Sequence, residues 1–118
     1  FEEKLSKCIR CYACRQVCPV CICEYCIVDR SRPQWFSKTT NPSDTMMFHL
    51  IRAYHTAGRC VDCGACVRVC PVGINLRLLN KKLEQEVMER FGFQAGLTLL
   101  ALPPLSSYKE KDKEEFIM

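Results

Sequence analysis

The amino-acid sequence predicts a small, mainly α-helical domain with long loops, and three observations carry that reading. A capped helical pattern spans about residues 44–58, a second spans about 75–91, and a polar stretch at 29–44 connects the first of them to what precedes it. With 118 residues, the chain has room for one domain with a modest apolar core. An α+β core carrying a helical insertion is the alternative fold.

The connection from Asp29 to Asp44 is rich in Arg, Ser, Thr and Pro, as a surface loop should be. Asn41-Pro42-Ser43-Asp44 then supplies capping residues, and Met47, Leu50, Ile51 and Tyr54 recur at helical spacing until Gly58 provides a stop. On this helix His49 and His55 fall on the polar side with Arg52 and Arg59, so both are expected to face solvent or a partner. Phe48 projects to the same side, and with Trp35-Phe36 it forms either a docking patch or further internal packing. The second helix has Asn75 as its candidate cap, an apolar stripe of Leu76, Leu79, Leu83 and Val87, and Gly92 at its end. Its opposite face, with Lys81, Lys82, Glu84, Gln85 and Glu89, reads as solvated. Residues 1–92 are expected to form the domain. Residues 93–118 form an extension, with an apolar docking stretch at Ala95 to Leu105, broken by Pro103-Pro104, and a charged tail from Lys109 to Glu115.

The chemistry lies in the eleven cysteines, almost a tenth of the residues. Cys8, Cys11, Cys14 and Cys18 are followed by Pro19, and Cys60, Cys63, Cys66 and Cys70 by Pro71, with the same spacing in both runs. The odd total argues against complete disulfide pairing. Paired zinc sites favour two C-x-x-C units separated by a longer loop rather than two such runs ending in proline. A [4Fe-4S] cubane places four irons at the corners of a tetrahedron, so three cysteines at every third residue can wrap one loop around three corners. In the two-cluster pattern the fourth cysteine of each run serves the other cluster. That rule predicts Cys8, Cys11, Cys14 and Cys70 on one cluster and Cys18, Cys60, Cys63 and Cys66 on the second, which staples the two halves together. The small residues Ala13, Gly64 and Ala65 let backbone N–H groups approach cluster sulfur.

Cys21, Cys23 and Cys26 remain, crowded into six residues after the first run. Their density points to a further metal centre: a third [4Fe-4S] cluster whose fourth ligand is Asp29, a histidine or an outside residue, or else zinc. Packing against the neighbouring cluster is the plain alternative.

The formal charge of +4 counts every cysteine as neutral. Each oxidised cluster with four thiolates carries about −2, so two of them cancel that excess, and Lys7, Arg10, Arg15, Arg59 and Arg68 stand where they offset cluster charge. A basic face for nucleic acid is therefore not expected. Nor is a membrane span, because no apolar run approaches the roughly 20 residues needed, and a reducing, cytoplasmic setting is expected. Arg10 in the first run stands where the second has Asp62, so the Cys8 set is expected to have the higher potential.

The segment from Cys8 to Cys23, the Cys60 to Pro71 repeat and the helix ending His55-Thr56-Ala57-Gly58-Arg59-Cys60 resemble the dicluster iron–sulfur subunits of multisubunit redox enzymes. Such subunits include beta-type subunits of formate dehydrogenases and F420 hydrogenases, heterodisulfide reductase iron–sulfur subunits, and the small subunit of tungsten-dependent class II benzoyl-CoA reductase. The resemblance covers about residues 5–92. The long spacer with its helix is similar to the alpha-helical ferredoxin arrangement rather than the compact bacterial ferredoxin. It implies a non-catalytic electron-transfer subunit in a hetero-oligomer, passing single electrons between a redox donor or acceptor protein and a catalytic tungsten, molybdenum or flavin subunit. In keeping with it, the chain shows no Gly-rich phosphate loop and no clustered carboxylate pair. An iron–sulfur redox sensor and a free-standing ferredoxin are the alternatives.

Overall fold

Both cysteine runs follow the same backbone path in the computed structural model, which describes residues 2–111. The described helices are α1 (Glu2–Leu5), α2 (Ala13–Gln16), α3 (Pro42–Thr56), α4 (Ala65–Arg68) and α5 (Arg77–Phe91), followed by a 3-10 turn at Pro104–Ser106. The short α2 and α4 are single turns that carry the third cysteine of each run, Cys14 and Cys66, into the interior. Ahead of each, the chain twice enters the left-handed region, at Arg10 (φ 56°) and Tyr12 (φ 61°) in the first run and at Asp62 (φ 57°) and Gly64 (φ 71°) in the second. Only one of these four residues is glycine, and a left-handed turn costs any other residue on the order of 1 kcal/mol. The turn aims a backbone donor at sulfur: the Arg10 N–H donates to Cys8 Sγ at 3.4 Å.

Among the described residues there is no β-strand, so the α+β alternative is set aside. The physical reason is local. The cysteine loops commit their backbone to turns, and the chain between them is spent on one long helix and an irregular connection, which leaves no pair of extended segments to form a ladder.

Helix α3 starts with Asn41 as N-cap and Pro42 in its first turn, with no side-chain cap bond. The Thr39 hydroxyl donates to the Asp44 carboxylate, tying the loop to that turn. Helix α5 starts after Leu76 rather than at an Asn75 cap, again with no side-chain cap, and ends where the Gly92 N–H donates to the Met88 carbonyl at 2.9 Å with Gly92 at φ 60°. Helix α3 packs against α1 and α5, and α2 packs against α4. That last contact brings the two cysteine runs together.

The interior differs from the expected one at α3. Met47 and Tyr54 are 49% and 57% exposed, whereas Thr45, Phe48, His49, Arg52, Ala53 and Thr56 are buried. The helix thus turns its expected polar side inward. Phe48 joins a core of Leu5, Cys14, Val28, Cys66, Ile74 and Leu76. The Tyr12 ring meets Phe48 edge-on at 5.2 Å, and the Arg10 guanidinium lies over Phe48 at 4.7 Å. Trp35 stays exposed while Phe36 packs on the core, so the three aromatic residues do not form one surface patch. Leu76, just ahead of α5, and Val87 on it are buried, and Glu84 is drawn in from its expected solvated face.

Beyond α5 the chain returns to the domain, with Gly96 beside Val61 and Pro103-Pro104 beside Gly58. Gly58 (φ 71°) ends the turn after α3, and a Cβ built there would stand 3.2 Å from Pro104 Cδ, so the Pro103-Pro104 pair lies directly over this glycine. Leu99 and Leu100, between, are fully exposed. The charged tail expected up to Glu115 lies largely outside the described residues.

Because Phe48 supports Arg10, Tyr12 and His49 together, Phe48→Ala should destabilise the holoprotein by about 3–5 kcal/mol. Anaerobic thermal unfolding followed by circular dichroism would register this as a lowered midpoint.

Candidate metal centre

Cys8, Cys11, Cys14 and Cys70 line one cavity, closed by Tyr12, Phe48, His49, Val72, Ile74 and Leu76. Three of these thiols come from the first run, and Cys70 arrives from the second because α2 and α4 pack together. Donors converge on the sulfurs. Besides the Arg10 N–H, the Ile74 N–H donates to Cys70 Sγ at 3.4 Å, and His49 Nε2 lies 3.3 Å from Cys8 Sγ. His49 is only 2% exposed. Burial, with the Arg52 and Arg10 cations nearby, holds its pKa down at about 4, and with a proton on Nε2 the ring donates to Cys8. Its expected solvent-facing role is thereby corrected. His55, one helical turn and a half further on, is exposed.

In the second grouping Cys60 lies within electrostatic reach of Cys18 and receives a backbone hydrogen bond from Asp62. Cys63 is exposed and Cys66 is buried on α4. Burial first, and then the neighbouring Glu84 carboxylate, push the Cys60 thiol up to about 11. Glu84 carries one oxygen 3.3 Å from Lys81 Nζ, while its Oε1 is buried without a hydrogen-bond partner. Asp62, which the sequence reading set against Arg10, is occupied elsewhere: its carboxylate pairs with Arg77 at 2.5 Å and Lys81 at 2.8 Å, which hold it far below the usual carboxylate range. Arg10 itself donates to the Asp44 carbonyl at 2.7 Å and the Ser37 carbonyl at 3.2 Å.

Between the two groups stands Arg52. It is 5% exposed, donates to the Cys14 carbonyl at 3.1 Å, and pairs with no carboxylate among the described residues, while its Nε has no partner. Its charge acts on Cys14, Cys21, Cys18 and Cys66. A buried cation without a counter-charge costs several kcal/mol. Thiolates on a cluster of net charge about −2 would provide that counter-charge. The donor chemistry, the N–H groups aimed at sulfur and the uncompensated Arg52 therefore fit [4Fe-4S] clusters. No three Cys, His, Asp or Glu side chains among the described residues converge on one point as a single ion requires. A cubane takes more widely spaced thiolates.

Cys21, Cys23 and Cys26 lie in the loop after the first run and line a second cavity together with Arg15, Arg52 and Arg59. Cys21 and Cys26 are half-buried and Cys23 is exposed. Asp29, a fourth ligand considered from the sequence, is held by Arg15 at 2.8 Å. The residues that sequence reasoning missed are His49, Arg52 and Glu84. The signal for the first two is present in the spacing: Thr45, Phe48, His49, Arg52 and Thr56 make a helical face as regular as the stripe of Met47, Leu50, Ile51 and Tyr54.

No described helix is long and apolar enough to cross a membrane. The sequence pattern of the 4Fe-4S dicluster domain matches residues 4–74. The chain is 31% identical over 105 residues to the F420-dependent formate dehydrogenase subunit beta of Methanocaldococcus jannaschii, covering 89% of this chain and 27% of that protein. It is 36% identical over 105 residues to the F420-dependent formate dehydrogenase 1 subunit beta of Methanococcus maripaludis, covering 89% of this chain and 26% of that protein. The chain thus spans about a quarter of the length of these curated relatives. With two cysteine runs folded alike around a shared interior and that match across both of them, the chain belongs to the 4Fe-4S dicluster domain family and carries two [4Fe-4S] clusters.

Proposed function

We propose that this chain is a non-catalytic electron relay within a larger oxidoreductase, with Cys8, Cys11, Cys14 and Cys70 holding one cluster and Cys18, Cys60, Cys63 and Cys66 the other. The observation that carries the reading is the cavity in which three thiols of the first run meet Cys70 of the second, beside a buried Arg52 whose charge reaches both sets. A bound [4Fe-4S] cluster takes up and releases one electron at a time. The chain's own residues hold the two sets close, exclude water from Cys14 and Cys66, and bias each set electrostatically.

Each set reaches the surface at one cysteine. Cys11 and Cys63 are exposed, and the matching neighbours Ile9 with Val17 and Val61 with Val69 are exposed apolar side chains beside them. These two edges are where a donor and an acceptor would dock, with the leucines of the extension as further contact surface. By analogy with the named relatives, the parent enzyme is a formate dehydrogenase working with F420, whose catalytic subunit lies outside this chain. A reducing, cytoplasmic setting is the one in which thiols of this number stay available to clusters. Purification of the native complex with analysis for tungsten, molybdenum and flavin tests the assignment. Recovery of the chain without any catalytic subunit would count against it.

Replacing Cys63 with Ala should remove about four irons per chain and abolish electron transfer to the catalytic subunit. A variant with full iron content and full transfer would refute the ligand set.

The potentials of the two sets should also differ, with His49 and Glu84 adding to Arg10 beside Cys8. His49 gives the Cys8 set a buried donor, whereas Glu84 sets a carboxylate beside Cys60. Hydrogen bonds to sulfur favour the more negative, reduced state, and nearby carboxylates oppose it. His49→Leu should lower the potential of the Cys8 set by roughly 40 mV for each kcal/mol of hydrogen bonding gained on reduction, and Glu84→Gln should raise that of the Cys60 set. Redox titration monitored by electron paramagnetic resonance reads both shifts.

A further inference from the structure

We infer that the loop between Cys18 and Asp29 binds a third iron–sulfur cluster, held by Cys21, Cys23 and Cys26 in the cavity walled by Arg15, Arg52 and Arg59. The inference rests on the two-cluster reading, since it takes the eight repeat cysteines as already used.

Three thiols lining one cavity, neither paired as disulfides nor buried together in the core, form a ligand set in search of a metal. The loop holds them in place by turns at both ends. The Cys21 N–H donates to the Cys18 carbonyl at 3.2 Å, and the Asp29 N–H donates to the Cys26 carbonyl at 2.9 Å. Cys21 and Cys26 consequently lie within electrostatic reach of each other, with Cys23 at the exposed lip.

The charge of the cavity matches the occupant. Its wall carries three guanidiniums, from Arg15, Arg52 and Arg59, against the two carboxylates of Glu24 and Asp29. A [4Fe-4S] core of about +2 on three thiolates carries about −1. The Arg15 guanidinium pairs with the Asp29 carboxylate at 2.8 Å within electrostatic reach of Cys26, so a cation already stands near one of the ligands. Arg52 reaches Cys21 from the other side while also serving Cys14, Cys18 and Cys66. Single-ion zinc is the poorer occupant, because no three such donors among the described residues converge on one point. With Asp29 engaged by Arg15, His55 and Glu24 are the remaining donors in the wall for the fourth iron. Cys21 stands next to Cys18, which serves the second cluster, so the third would extend the relay by one step toward the exposed Cys23 edge.

The test is iron, acid-labile sulfide and zinc per chain in the anaerobically purified holoprotein, wild type against C21A/C23A/C26A. The triple variant should lose about four irons and about four sulfides, with the resonance signals of the other two clusters retained. An unchanged iron content overturns the inference, and so does loss of one zinc in place of iron. Because the triple variant can fail to fold, Cys23→Ser, at an exposed position, provides a second reading: one cluster signal should be altered or lost, and an unaltered spectrum overturns the inference. The same iron count on Cys63→Ala reports on the two-cluster reading separately, so failure of one is told apart from failure of the other.

Discussion

A buried arginine with no carboxylate partner among the described residues is the constraint on which this structure depends. Arg52 enters the interior on α3 and meets carbonyl and thiol groups in place of an acidic partner. Its burial is tolerable only with negative charge nearby, and the cysteines that surround it become that charge when iron draws off their protons. The cation and the clusters thus stabilise one another. Without metal the interior holds an uncompensated charge and a set of raised-pKa thiols, so cluster binding and folding are coupled in this domain.

That coupling explains the face α3 presents. A helix beside an ordinary hydrophobic core turns its apolar stripe inward, but one beside anionic sulfur gains more by turning in donors and cations. Phe48 and Ala53 supply the packing between them, while His49 and Arg52 reach toward thiols and Thr56 folds its hydroxyl back on the Arg52 carbonyl at 3.2 Å. Met47 and Tyr54 are left outside as the consequence. The strained left-handed residues Arg10, Tyr12 and Asp62 follow the same logic, since the turn that costs them energy is the one that aims N–H groups at sulfur.

The near-symmetry of the two runs extends only to the backbone. Their surroundings differ: a neutral imidazole and a nearby guanidinium act on Cys8, whereas a carboxylate acts on Cys60. A duplicated loop thereby offers two unlike sites, the arrangement a relay needs to favour one direction. Both sites come to the surface at the same position in the repeat, Cys11 and Cys63, flanked by matching apolar side chains.

Spacing alone made the cluster chemistry legible, because three cysteines at every third residue, with a fourth four positions on and then a proline, encode a loop geometry that local sequence dictates. The positions of the two long helices were legible too, from periodicity and from Gly58 and Gly92 as stops. What lay beyond the sequence was long-range. The reach of Glu84 to Cys60, the capture of Asp62 by Arg77 and Lys81, and the inward turn of His49 and Arg52 each join residues far apart in the chain. Periodicity reports that a helix has two faces, and hydropathy names the apolar one as inner only when the interior is apolar. Here the sequence by itself determined the ligands' spacing and the helical class. Only the tertiary structure decided which side of α3 faces inward, because that choice depends on the charge assembled from two distant cysteine runs.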